Sequence, residues 1–178
     1  MQTAGLRGAT VGYGAAALGN LYREISDPEA AAIVDAAWDA QIRHFDTAPH
    51  YGVGLSESRL GIALAGRPRK DYTISTKVGR LLVPASDGSL VRTWDFSESG
   101  LRASLEGSLS RTRLDRFDTV YLHDPEQSDI ESALEEGLPA LAALRDQGLF
   151  TRAGVGSSDV ATLLSAAKTG LIDCVMIA

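Results

Sequence analysis

Short runs rich in β-branched and aromatic residues alternate along this chain with longer stretches in which apolar residues recur at helical spacing, without a linker or low-complexity tract. The pattern predicts strands at about 9–13, Arg43–Thr47, Tyr72–Val78, Phe117–His123, Arg152–Gly156 and Asp173–Ile177. Helices fill the intervals. Ser26-Asp27-Pro28-Glu29 supplies a cap, an early proline and an acidic first turn, after which Ala30, Ile33, Val34, Ala37 and Trp38 form one apolar stripe. Ser56 is expected to open a helix over Glu57–Ala65, and Ser97 one with Leu101, Leu105 and Leu109 on a single face. Asp159 opens another with Val160, Leu163, Leu164 and Ala167, closed by Gly170. Gly137 and Pro139 interrupt the periodic run from Ile130 to Leu144, which predicts a broken or late-starting helix closed by Gly148.

Strands each followed by a helix imply right-handed crossovers and a parallel sheet covered on both faces, so the chain is α/β, either a doubly wound open sheet or a closed barrel. A doubly wound dinucleotide fold carries G-x-G-x-x-G after its first strand, whereas Gly12-Tyr13-Gly14-Ala15-Ala16-Ala17 lacks the third glycine and no acidic residue follows at the expected strand end. The (β/α)₈ (TIM) barrel is therefore expected, as one domain over residues 1–178. Such a barrel takes about 250 residues, so six strands fit its first three quarters and the barrel reads as truncated after strand six. The open edges of strands one and six are then expected to favour self-association.

The 178 residues include 17 Lys plus Arg, 23 Asp plus Glu and 44% hydrophobic residues, a composition that folds and carries a formal charge of −6. Basic residues are scattered singly, which argues against a nucleic-acid partner. No apolar run approaches the roughly 20 residues that span a bilayer, and Met1–Gly12 has no leader pattern, so no membrane partner and a cytoplasmic location are expected. The single cysteine, Cys174, reads as a buried strand thiol.

In a barrel of this kind reacting groups lie where strands end. Strand two runs into His44-Phe45-Asp46-Thr47-Ala48-Pro49-His50-Tyr51-Gly52, strand three ends Ser75-Thr76-Lys77-Val78, and strand four ends Tyr121-Leu122-His123-Asp124. Asp46, Tyr51, Lys77 and His123 are thus expected to converge, and together they suit acid–base chemistry on a carbonyl. An ammonium beside a phenol favours the phenolate, the role assigned to Lys77 beside Tyr51, and a carboxylate keeps a buried lysine charged, the role assigned to Asp46. An imidazole on the next strand, His123, orients the substrate oxygen. His44 faces the same way as Asp46 but reads as an interior or neighbour-bonded histidine, with no second histidine to complete a metal site. His50 reads as an exposed loop histidine within reach of substrate. Trp94 either covers the substrate or packs under its own loop, and Arg111–Arg116 reads as a solvated helix end.

Those three strand-end stretches, with Gly12-Tyr13-Gly14, Ser56-Glu57-Ser58-Arg59-Leu60-Gly61 and Gly154-Val155-Gly156, resemble the aldo-keto reductase family over nearly the whole chain. Gly19-Asn20-Leu21-Tyr22 and Lys77-Val78-Gly79-Arg80-Leu81-Leu82 are similar to the family's bacterial sugar dehydrogenases of the D-threo-aldose or L-fucose type and their pyridoxal dehydrogenase relatives. The resemblance implies an NAD(P) cofactor and a small carbonyl or sugar substrate. Hydride would pass between the nicotinamide and a carbonyl or lactol carbon, with Tyr51 as acid in reduction and base in oxidation. Gln41 stands where relatives usually have a glycine, at a turn that calls for positive φ. Strand five ends Gly156-Ser157-Ser158 where the family offers an asparagine to the nicotinamide carboxamide, so Ser157 and Ser158 are the cofactor-binding candidates. The family's main pyrophosphate- and adenosine-binding segments follow strands seven and eight, beyond Ala178. Two other readings stand beside this one: a catalytically incompetent fragment or interaction module of the same fold, and a Schiff-base lyase using Lys77.

Overall fold

The computed structural model describes residues 11–178. Its strands are β1 (Tyr13–Gly14), β2 (His44–Asp46), β3 (Thr73–Val78), β4 (Arg80–Pro84), β5 (Leu90–Trp94), β6 (Phe117–His123), β7 (Phe150–Ser157) and β8 (Cys174–Ile177). The reading of Met1–Gly12 and the first part of the strand expected at about 9–13 lie largely outside the described residues. Six strands pair in the order β1-β2-β3-β6-β7-β8, every pair parallel, and β4 and β5 form a separate antiparallel hairpin. The long helices are α1 (Asp27–Asp39), α2 (Leu55–Leu64) and α3 (Glu98–Thr112), followed by the short α4 (Ile130–Ser132), then α5 (Leu138–Asp146) and α6 (Val160–Lys168). This is the β/α order of a (β/α)₈ barrel carried through six strands.

Period two along the strands divides the sheet. Phe45, Ile74, Val120 and Leu122 turn to the helices and are fully buried against a core that includes Leu60, Leu101, Leu138 and Leu141. Each such leucine contributes roughly 1.5–3 kcal/mol by leaving water. The alternate positions, Asp46, Ser75, Lys77 and His123, turn to the inner side of the sheet. Helix α2 is tied to both neighbours by a carboxylate: fully buried Glu57 accepts from Thr76 Oγ1 at 2.9 Å and from Arg111 Nε at 2.6 Å. Arg111 is thus committed to an ion pair rather than lying on a solvated helix end.

Three local expectations are corrected. Helix α2 begins at Leu55 after Gly54 (φ 85°), because the Ser56 side chain is buried, donating to the Ala15 carbonyl at 2.7 Å, and does not cap. The helix over 130–146 is not broken: a π turn over Ala133–Gly137 joins α4 to α5. Pro139 lacks an N–H and its ring crowds the carbonyl four residues back, and a widened turn accommodates both within a continuous helical path. Cys174 is half-buried, at the start of β8, which has β7 as its one sheet neighbour among the described residues.

The hairpin was not anticipated. Asp87-Gly88, between a Leu-Leu-Val run and Leu90-Val91-Arg92-Thr93-Trp94, was the turn signal available for it. Its Trp94 packs on Phe96 at 5.8 Å between ring centroids, with the Arg80 guanidinium 5.0 Å from its ring, so it packs under its own segment.

Gln41 has φ 64°, the left-handed conformation anticipated for that turn. Among the described residues its side chain makes one long, exposed hydrogen bond, accepting from Arg43 at 3.4 Å. Gln41→Gly is therefore expected to stabilise the fold by roughly 0.5–1 kcal/mol, read as a higher urea midpoint with unchanged slope; a lower midpoint would contradict the reading.

Candidate active site

Parallel register brings the strand ends together: Asp46 pairs with Ser75, Lys77 with Tyr121, and His123 with Gly156. Asp46 closes β2, Lys77 lies one residue before the end of β3, and His123 closes β6. All three side chains are largely buried. Lys77 Nζ donates to Asp46 Oδ2 at 2.6 Å and to the Thr47 carbonyl at 3.0 Å, while the other carboxylate oxygen of Asp46 accepts from Ser75 Oγ at 2.7 Å. Ser75 was missed as a supporting residue, although it lies two positions before Lys77 and so on the same face.

Tyr51 reaches this point from the loop after β2. Lys77 Nζ lies 4.8 Å from its ring centroid, and its ring stands at 88° to that of His123, 5.9 Å away. The loop is placed by close backbone approach. A Cβ on Gly52 (φ 63°) would fall 2.5 Å from the Gly19 carbonyl oxygen, so the segment after β1 can seat against Tyr51-Gly52 only without a side chain there. Val53 continues the left-handed path at φ 55°, a costly conformation for a β-branched residue, and the Gly54 amide closes the loop on the Pro49 carbonyl at 2.8 Å.

Burial alone pulls the Lys77 ammonium toward neutrality. Asp46 and, after it, Tyr51 outweigh burial and hold the Lys77 pKa above its ordinary value. A lysine so held offers no free amine to a carbonyl near neutral pH, which argues against the Schiff-base reading. His123 moves the other way: burial first, then the Lys77 charge, the adjoining His50 imidazole, which competes for a proton, and the Arg80 charge push it down to about 2. The Asp124 carboxylate, 3.6 Å from Nε2, is too distant for a hydrogen bond and does not offset that burial. His50 is pushed down to about 4 by burial, Arg80 and Arg92. It is half-buried, with its ring 5.8 Å from that of His123, and is not the exposed loop histidine anticipated.

Both histidines are thus neutral in the fold while free imidazoles titrate near 6.5. A depressed folded pKa means that the unfolded chain binds protons first, so stability falls as pH drops below about 6.5. His123 alone accounts for about 2 kcal/mol between pH 7 and pH 5. Urea unfolding at those two pH values is expected to show the loss, and His123→Asn to reduce it; an equal loss in the variant would contradict this.

Ser157 and Ser158 end β7 and follow it, respectively. Ser157 is fully buried, and its Oγ accepts from the Asp159 amide at 2.8 Å, leaving the hydroxyl hydrogen without an acceptor among the described residues. Ser158 is exposed. His44 lies at the opposite end of β2, its Nδ1 2.9 Å from Thr73 Oγ1. Beside Tyr51 and His50 a cavity of about 240 Å³ opens, bounded also by Asn20, Leu21 and Arg92. A larger one, about 310 Å³, lies against Arg67, Tyr72 and Leu114 at the amino ends of the strands, away from Tyr51, Lys77 and His123.

The sequence profile of the Aldo/keto reductase family matches residues 10–178. D-threo-aldose 1-dehydrogenase from a Pseudomonas species is 46% identical over 190 residues, covering 98% of this chain and 58% of that protein. Among solved structures, the holo form of an aldo-keto reductase from Bacillus halodurans superposes with a TM-score of 0.79 at 28% identity, over 94% of this chain and 52% of the other. An aldo/keto reductase from Klebsiella pneumoniae, solved with NADP and acetate, gives 0.68 at 25% identity, over 88% and 48%. The chain thus spans 48–58% of the length of these proteins.

Proposed function

The chain belongs to the aldo/keto reductase family, and on that premise we propose that it carries the proton-handling half of an NAD(P)-dependent oxidoreductase acting on a small sugar or aldehyde. The observation that carries the reading is the Asp46–Lys77 pair, buried, 2.6 Å long, and set beneath the Tyr51 ring with His123 beside it. In the reductive direction Tyr51 donates its phenolic proton to the oxygen developing on the substrate, and in the oxidative direction it accepts that proton back. Lys77 stabilises the phenolate left behind, and Asp46, anchored by Ser75, keeps Lys77 charged and in place. His123, neutral and close to both, holds the substrate oxygen toward Tyr51.

A nicotinamide fits this donor set, since the buried Ser157 hydroxyl retains a hydrogen for a carboxamide oxygen at the end of β7, with Ser158 next to it. When bound, that cofactor supplies or accepts the hydride. The similarity to an aldose dehydrogenase, and to a reductase solved with NADP, supports both the substrate class and the cofactor. The test is to incubate the purified protein with aldoses and NAD⁺ or NADP⁺ and follow reduced nicotinamide by absorbance. Sugar-dependent reduction of either cofactor is expected, and its absence with both across aldoses and simple aldehydes would overturn the reading.

A further inference from the structure

His50 is a second imidazole at the site that the proposed chemistry does not use. Its ring meets that of His123 at 80° and 5.8 Å, and Tyr51 meets the same histidine at 88° and 5.9 Å. Three polar rings thus meet through His123, and two of them, His50 and Tyr51, also line one cavity. The His50 backbone is fixed from the hairpin, where Arg92 donates to its carbonyl at 3.3 Å.

The hydrogen-bond pattern assigns the protons. Nδ1 of both His50 and His123 is buried with no hydrogen-bond partner among the described residues. A buried N–H without an acceptor is costlier than a buried lone pair without a donor, so both neutral rings carry the proton on Nε2. The His50 side chain makes no hydrogen bond within the described residues, and its Nε2 is not among the buried orphaned atoms. That N–H is available to a molecule in the cavity it shares with Tyr51, Asn20 and Arg92. Two uncharged donors on rings whose centroids are 5.8 Å apart suit two oxygens on adjacent carbons, one at the reacting carbon facing His123 and one beside it facing His50.

We propose that His50 is a specificity-determining residue whose Nε2–H binds an oxygen on the carbon next to the reacting one, so that the site selects 2-hydroxy aldehydes and the corresponding lactols over plain aldehydes. The proposal rests on the oxidoreductase reading above. A substrate without that oxygen strips water from the His50 N–H and returns no partner, and hydroxyl-reading sites discriminate strongly for that reason. Burial and the neighbouring Arg80 and Arg92 charges keep the ring an uncharged donor at neutral pH, matched to a hydroxyl.

The test compares 2-hydroxypropanal with propanal, which differ by that one oxygen, as a ratio of kcat/KM with reduced nicotinamide cofactor. His50→Phe, which keeps a ring of similar outline without the N–H, is expected to lower the ratio 10–100-fold. His50→Gln, which places an N–H near the position of Nε2, is expected to restore part of it. Equal losses on the two aldehydes, leaving the ratio unchanged, overturn the proposal while the oxidoreductase reading stands. Nitrogen-15 NMR of the imidazoles gives a readout independent of turnover: at pH 7 His50 should be the Nε2–H tautomer, and its resonance should move with propane-1,2-diol and not with propan-1-ol. A protein that reduces neither aldehyde sinks the oxidoreductase reading, and in that case an unmoved His50 resonance sinks this one as well.

Discussion

Replacing Tyr51 with Phe should lower turnover by a factor on the order of 10²–10⁴ while leaving cofactor affinity within about threefold, because the change deletes one oxygen and its proton and keeps the ring. The ring lies 4.8 Å from Lys77 Nζ and 5.9 Å from the His123 ring, and phenylalanine keeps both ring contacts while giving up only the hydroxyl's interaction with the Lys77 ammonium, so the fold loses little. Steady-state kinetics and a fluorescence titration with the reduced cofactor separate the two effects. Turnover within about threefold of the parent would remove Tyr51 from the proton-transfer role.

Lys77→Met should have the larger effect on stability. It leaves the Asp46 carboxylate in a site where neither the protein nor water offers much in place of the 2.6 Å ammonium contact, with the Ser75 hydroxyl the one side-chain donor retained among the described residues. Removing one partner of a buried pair costs roughly 3–5 kcal/mol, and urea unfolding should show a loss of that size with turnover falling as far as in Tyr51→Phe. Replacing both partners, Asp46→Leu with Lys77→Met, should recover much of the stability and none of the activity. A single variant as stable as the parent would mean that the pair is not desolvated as described. The Lys77 pKa is raised in the fold, so the pair's contribution is present at neutral pH and is lost as pH climbs through that raised value, above 10.5.

The barrel order and the convergence of Asp46, Tyr51, Lys77 and His123 were legible in the sequence because they depend on period and topology. Apolar strands of period two with helices between them dictate parallel neighbours, and parallel neighbours put strand ends on one rim. Phe117–His123 is found as a strand with both predicted limits, since every residue from Thr119 to His123 is buried on one face or the other. What was not legible depends on contacts made across long stretches of chain. Ser56 reads locally as a cap but bonds to Ala15, 41 positions away, and Arg111 reads as solvated but meets Glu57 from 54 positions away. The environment of His50 likewise comes from His123 and from Arg92 on the hairpin. The π turn before Pro139 is a packing solution to a residue that reads as a helix breaker.

If Tyr51, Lys77 and His123 serve hydride transfer between a nicotinamide and a carbonyl carbon, a label on the transferred hydride must arrive on that carbon. The direct measurement uses reduced cofactor carrying deuterium at its hydride-donating carbon, incubated with the purified protein and an aldehyde, with the alcohol product analysed by mass spectrometry. The expected product bears one deuterium on the former carbonyl carbon and forms at a rate that Tyr51→Phe depresses by at least about 10². Product without deuterium, or labelled product formed equally fast by Tyr51→Phe, would contradict it.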